Sequence, residues 1–275
     1  MHCPQIQALT LCDAHVHIYD CFDLDTFLHS AWKNFRIAAT SAGAQTYSAI
    51  LMLSETQEDH WFSKLSEAAA SGDTLGTTWS FTKTAETDSV RAHCDTAGTL
   101  FILAGRQIVS YENLEILALA TSYEQPDGAH AKAVIEAAAE AGSLVVAPWG
   151  VGKWWGARGR LLSDLLQNFP ADILLLGDNS GRPWFMGTPR HFVSARTQGR
   201  WILPGSDPLP FAKETQRPGS VGFCIEHPLD TEQPAADIKK QLQNAQVGIK
   251  TYMHCERFFP FFRNQIGMQL RKRFS

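Results

Sequence analysis

From Val134 onward the 275-residue sequence repeats one order, helix then strand, three times with short connections. An alanine-rich helix over Ala129 to Ala141 ends at Gly142 and leads into Leu144-Val145-Val146-Ala147. The pattern then runs through a helix over Arg160 to Phe169, a strand at Ile173 to Leu176, a helix over Pro189 to Thr197 and a strand at Trp201-Ile202-Leu203. The strands are apolar without alternation, as strands covered on both faces must be. Such an order predicts a parallel sheet with helices outside it. An open doubly wound sheet would also alternate, but the first strand lacks a glycine-rich phosphate turn. The expectation is therefore an α/β fold, a TIM-like (β/α) barrel in regular, distorted or seven-stranded form.

The N-terminal half is compatible with that expectation. A strand at Leu11 to Ile18 precedes a helix over Asp25 to Ala39, a strand over Gln45 to Leu53 and a helix over Asp59 to Ala70. Thr77 to Thr84 and Thr99 to Ala104 are further strands; Glu86 to Asp95 is too polar to assign, and Glu112 to Leu119 suits a helix or a strand. Near the C-terminus, Ala236 to Ala245 and Phe261 to Arg273 carry helical patterns, which predicts a helical extension at about 236–275 on a single domain over 1–275. Barrels of roughly 250 residues form one unit, so no second domain is required.

Composition narrows the function. A 44% hydrophobic fraction supports a large core, and a net charge of −4 argues against nucleic acid as a general partner. No apolar run approaches the ~18 residues of a membrane span. The six cysteines are scattered, without a CxxC pair, which points to reduced thiols and a cytoplasmic location. A small molecule is the expected partner, and oligomeric state is left open.

The chemistry-bearing segment is Leu11-Cys12-Asp13-Ala14-His15-Val16-His17-Ile18. Alternation along a regular strand would put Asp13, His15 and His17 on one face. Two neutral imidazoles on one face can converge on a divalent ion such as zinc, manganese or iron. Polar clusters also follow later strands, at Gly105-Arg106-Gln107, Trp149 to Lys153, Asp178 to Arg182 and Ser206-Asp207. A barrel would gather them at one mouth.

The Asp-x-His-x-His segment resembles the first-strand motif of metal-dependent hydrolases, the amidohydrolase superfamily and the PHP (polymerase and histidinol phosphatase) family. The PHP likeness continues through residues 102–118, with Gln107 where the family's second motif carries a bridging glutamate. It continues through 141–149, with Trp149 where a ligand histidine stands, and through Gly205-Ser206-Asp207, with Leu209 in place of a second histidine. This resemblance implies a metal-dependent hydrolase, phosphoesterase or amidohydrolase in type, holding one divalent ion through His15, His17 and Asp207. It further implies Asp207 or Asp178 as proton acceptor and a small anionic substrate, a phosphoester above all. Arg182 and Lys153 are then the anion contacts, with Trp149 and Gln107 lining the pocket. Because family ligands are replaced at Gln107, Trp149 and Leu209, the rival expectation is an inactive barrel that binds a ligand or partner.

Overall fold

The computed structural model describes residues 6–179, 182, 184–244 and 248–252. The first half comprises β1 (Ile6–Val16), α1 (Leu24–Ala42), β2 (Ala44–Leu53), α2 (Trp61–Ser71), β3 (Ser80–Lys83), β4 (Ser89–His93) and β5 (Thr99–Leu103). Then follow β6 (Gly105–Val109), β7 (Glu115–Leu119), α3 (Ala131–Glu140), β8 (Leu144–Pro148), α4 (Gly156–Asn168) and β9 (Leu174–Asn179). The chain continues through α5 (Arg190–Thr197), β10 (Ile202–Gly205), β11 (Gly222–Ile225), α6 (Pro234–Gln243) and β12 (Ile249–Tyr252).

The strands do not close into a barrel. They form a seven-stranded sheet in the order β12-β11-β1-β2-β5-β4-β3 and a five-stranded sheet in the order β10-β9-β8-β7-β6. A (β/α) barrel needs every strand parallel to its neighbours. Here β4 runs antiparallel to both β3 and β5, β7 runs antiparallel to both β6 and β8, and β11 runs antiparallel to β1. The parallel run is real for β8, β9 and β10 but stops there. The polar stretch 86–95 contains β4, and Gly105-Arg106-Gln107 is a strand rather than the loop after one. Glu112 to Leu119 resolves into a turn followed by β7.

Alternation along each strand divides the core into layers. Leu9, Leu11, Leu51, Leu53, Leu100 and Ile102 face outward onto α1 and α2, joining Phe27, Phe35 and Leu65. Ile116, Ala118, Val145, Leu174 and Leu176 face the opposite outer layer, with Val134, Leu162 and Phe192 of α3, α4 and α5. Cys12, Ile50, Met52, Leu117, Val146, Leu175 and Phe223 fill the space between the sheets. The order of layers is α/β/β/α. Ala235, Ile238 and Leu242 of α6 enter the inner layer, so this helix is part of the core and not an extension. The expected helix over Phe261 to Arg273 lies outside the described residues.

Local chemistry explains the element that leads away from β1. Asp23 accepts from the Thr26 amide at 2.8 Å and caps α1, while Gly43 in the left-handed region (φ +74°) ends it. Where the sheets approach, the Asp207 amide donates to the His15 carbonyl at 2.8 Å, and Glu55 of the chain after β2 bridges Arg106 of β6. The C-terminal ends of β1, β2, β8, β9 and β10 thus share a rim. Among the described residues no helix is long and apolar enough to cross a membrane.

Candidate metal centre

The last residues of β1 break the alternation expected of them. Opposite Leu51 and Leu53 of β2, β1 advances from Asp13 to Val16, one residue more than its partner. Val16 and Ile18 consequently join Leu9 and Leu11 in the outer layer, and His15 and His17 turn together to the other side. Asp13 does not share their face. It accepts instead from the backbone amides of Ser206 and Gly219, each at 2.8 Å, and of His15 at 3.3 Å. This buried carboxylate fastens β1 to the chain that follows β10. Burial pushes Asp13 up to about 7, against those donors and the Ser206 hydroxyl, which favour the ionised form.

His15 and His17 are 5% and 4% exposed, and their Nε2 atoms lie 3.1 Å apart. Asp207 Oδ1 is 3.6 Å from the His15 Nε2 and 3.7 Å from that of His17. Close approach of β10 makes this possible. A methyl group on Gly205 would fall 2.3 Å from the His15 amide nitrogen, a distance no side chain tolerates. Asp207 itself adopts φ +44°, in the left-handed region where Asp is one of the few non-glycine residues found. Its second oxygen accepts from Asn179 Nδ2 at 2.7 Å, while the same amide nitrogen donates to the Trp149 carbonyl at 2.9 Å. Asn179 therefore fixes the carboxylate with Oδ1 toward the histidines.

The electrostatics favour a cation among these atoms. Burial, then the neighbouring His15, lower His17 to about 4, so it stays neutral and keeps its lone pair at neutral pH. Burial opposes charge on Asp207, but His15, His17, Lys153 and Arg217 together hold it below the usual carboxylate range. His15, His17 and Asp207 offer three ligand atoms within 4.8 Å of one another. A first-row ion ~2.1 Å from each donor requires donor separations of roughly 3.0 Å for octahedral neighbours and 3.4 Å for tetrahedral ones. The observed 3.1, 3.6 and 3.7 Å fit such an ion with little movement, and two imidazoles plus a carboxylate suit zinc, manganese or iron.

The other predicted residues divide by face. Gln107 pairs with Leu117, an inner-layer residue, so it faces inward; its backbone N–H donates to the Glu55 carbonyl at 2.8 Å. Lys153 lies near the cluster, paired to Glu115 at the start of β7, and both charges act on it: Lys153 on Asp207, Glu115 on His17. Trp149 follows Val145 and Ala147 into the outer layer and is 6% exposed, so its indole packs the core. Asp178 follows Leu174 and Leu176 outward. Arg182 grips it there, Nε to Oδ1 at 2.9 Å and Nη2 to Oδ2 at 2.8 Å, beside Phe192 of α5. Neither Asp178 nor Arg182 faces the histidines. Sequence reasoning missed Glu115 and Arg217 and placed Asn179 at the rim without giving it a role; parity with inner-layer Leu175 would have singled out Asn179 over Asp178.

No protein-family model matches the chain, and no curated protein matches it. Among solved structures it is similar to the crystal structure of PsfC from Pseudomonas syringae PB-5123, at TM-score 0.53 and 13% identity, covering 97% of this chain and 99% of that one. The two chains share a fold. At that identity the likeness says nothing of chemistry.

Proposed function

We propose that the chain binds one divalent transition-metal ion through His15, His17 and Asp207 and hydrolyses a small anionic substrate, a phosphoester by preference. One observation carries this reading: three Lewis-basic atoms, two from buried imidazoles and one from an oriented carboxylate, surround a single point. When bound, the ion supplies Lewis acidity, lowering the pKa of water toward ~7 and polarising the scissile bond. Asp207 is the proton acceptor beside that point, through Oδ2, which Asn179 keeps off the ion while Oδ1 faces the histidines. Lys153 meets the substrate's anionic group by exchanging the Glu115 carboxylate for it, and Arg217 keeps Asp207 ionised. The hydrolase motif that the first strand resembles supports the assignment, although the barrel it implies is not the fold here. The free thiols among the described cysteines, Cys12, Cys21, Cys94 and Cys224, support a reducing, cytoplasmic setting.

A non-catalytic binding role is favoured by one observation, that Lys153 and Arg182 are already paired to Glu115 and Asp178. The test separates the two. Protein loaded with zinc, manganese or iron is assayed on phosphomonoesters, phosphodiesters and amides, beside the His15→Ala, His17→Ala double variant. Hydrolysis that needs both metal and histidines supports the enzyme. Metal uptake with no turnover on any class supports binding alone.

A further inference from the structure

A cavity of about 620 Å³ opens between the edges of the two sheets. β10 is the outermost strand of one sheet and β12 of the other, and residues of both line it. Leu144, Leu175, Trp201, Ile202, Leu242 and Ile249 supply its apolar wall. Trp201 Nε1 donates to the Leu242 carbonyl at 2.9 Å, which ties the end of α6 to the segment before β10 and fixes two parts of that wall. Along β10 the cavity extends from Arg200 to Pro204, roughly 13 Å of strand. Its volume is that of a small-molecule site, and its shape is elongated.

The two ends differ in charge. Where β9 and β10 begin, the cavity is lined by Arg196, Arg200 and Asp172, two cations against one anion. Arg200 is 4% exposed, and its Nη atoms donate to the carbonyls of Leu166 and Phe169 at 3.0 Å, of Pro170 at 2.9 Å and of Leu174. Those bonds close the C-terminal end of α4 but bring no carboxylate to the guanidinium, and its Nε–H has no acceptor among the described residues. A buried cation balanced only by carbonyl dipoles favours an anion nearby. Arg196 on α5 is exposed and has no carboxylate paired to it among the described residues. At the opposite end Asp178 is already held by both Nε and Nη2 of Arg182, so that end offers no free charge.

We propose that this cavity binds an alkyl-chain monocarboxylate, its head on Arg196 beside the buried charge of Arg200 and its chain along β10 over Leu175 and Leu242, independently of the metal centre. The apolar wall gains from covering the chain, and the mobile Arg196 side chain meets the carboxylate with two parallel N–H bonds. Arg200 is held by its four carbonyls and contributes through its charge alone. A neutral chain of the same length keeps the burial and loses the head contact.

The full chain, stripped of metal with a chelator so that His15 and His17 hold no ion for a carboxylate to meet, is titrated calorimetrically with decanoate and with decanol. The natural chain should take up about one decanoate, and decanol about tenfold more weakly. Arg196→Glu should weaken decanoate at least about tenfold and leave decanol unchanged, and Thr251→Trp, at an exposed position of the cavity wall, should weaken both, with melting unchanged in each variant. No saturable decanoate binding up to about 1 mM would overturn the proposal. So would equal affinity for decanoate and decanol, or decanoate binding indifferent to Arg196→Glu.

Discussion

Asn179 Nδ2 holds Asp207 Oδ2 at 2.7 Å, leaving the other carboxylate oxygen to face both histidines. An outer partner of this kind sets the orientation of a metal ligand, and its loss typically weakens metal binding 10–100-fold. Asn179→Ala should therefore reduce affinity for zinc or manganese by about that factor, measured by calorimetric titration. Affinity unchanged from the natural chain would show that Asp207 needs no support.

Gly205 and His15 make the closest backbone approach at the centre. A Cβ at position 205 would lie 2.3 Å from the His15 amide nitrogen and 2.4 Å from its Cβ. Gly205→Ala must push β10 away from β1, an overpacking strain of about 1–3 kcal/mol or more. Denaturant melts should report that loss, and metal uptake should weaken with it.

Glu55 makes stability depend on pH. It accepts from the Phe62 amide at 2.8 Å, yet burial raises it from 4.5 to about 7. A carboxyl whose folded value lies above its unfolded one favours folding at low pH, and that contribution is lost as pH rises from 4.5 to about 7. The loss is on the order of 2–3 kcal/mol. His17, lowered from 6.5 to about 4, works in the opposite sense across an overlapping window. The difference between natural chain and Glu55→Gln isolates the glutamate: their unfolding free energies should diverge with pH, and parallel curves would refute the assignment.

Arg182 is structural on this geometry. Lysine at that position keeps the charge but not the two parallel bonds to Asp178, so Arg182→Lys should cost about 1–3 kcal/mol of stability. Metal content and turnover should not change. A variant as stable as the natural chain but slower on anionic substrates would return Arg182 to the substrate site.

Much of the centre was legible because it is local. His15 and His17 stand two residues apart on one strand, and Asp207 follows a strand whose parallel neighbours share its rim. The face of each later residue was less legible. Asp178 and Asn179 are adjacent and polar, and only the layer that Leu175 and Leu176 occupy tells that the asparagine points in and the aspartate out. Trp149 was misplaced for the same reason. The barrel failed on strand direction: Leu100 to Leu103 and Leu144 to Ala147 are equally apolar, but one has an antiparallel neighbour in polar β4 and the other in β7. Direction is set by partners distant in sequence, which periodicity does not register.

Metal stoichiometry tests the central claim most directly. Elemental analysis of the natural chain and of the His15→Ala, His17→Ala double variant, each incubated with zinc, manganese and iron and then desalted, should find about one ion per natural chain and almost none in the variant. The melting temperature should rise with added metal in the natural chain only. Stoichiometry near zero in the natural chain, or equal uptake by both proteins, would contradict the assignment of His15, His17 and Asp207 as a metal centre.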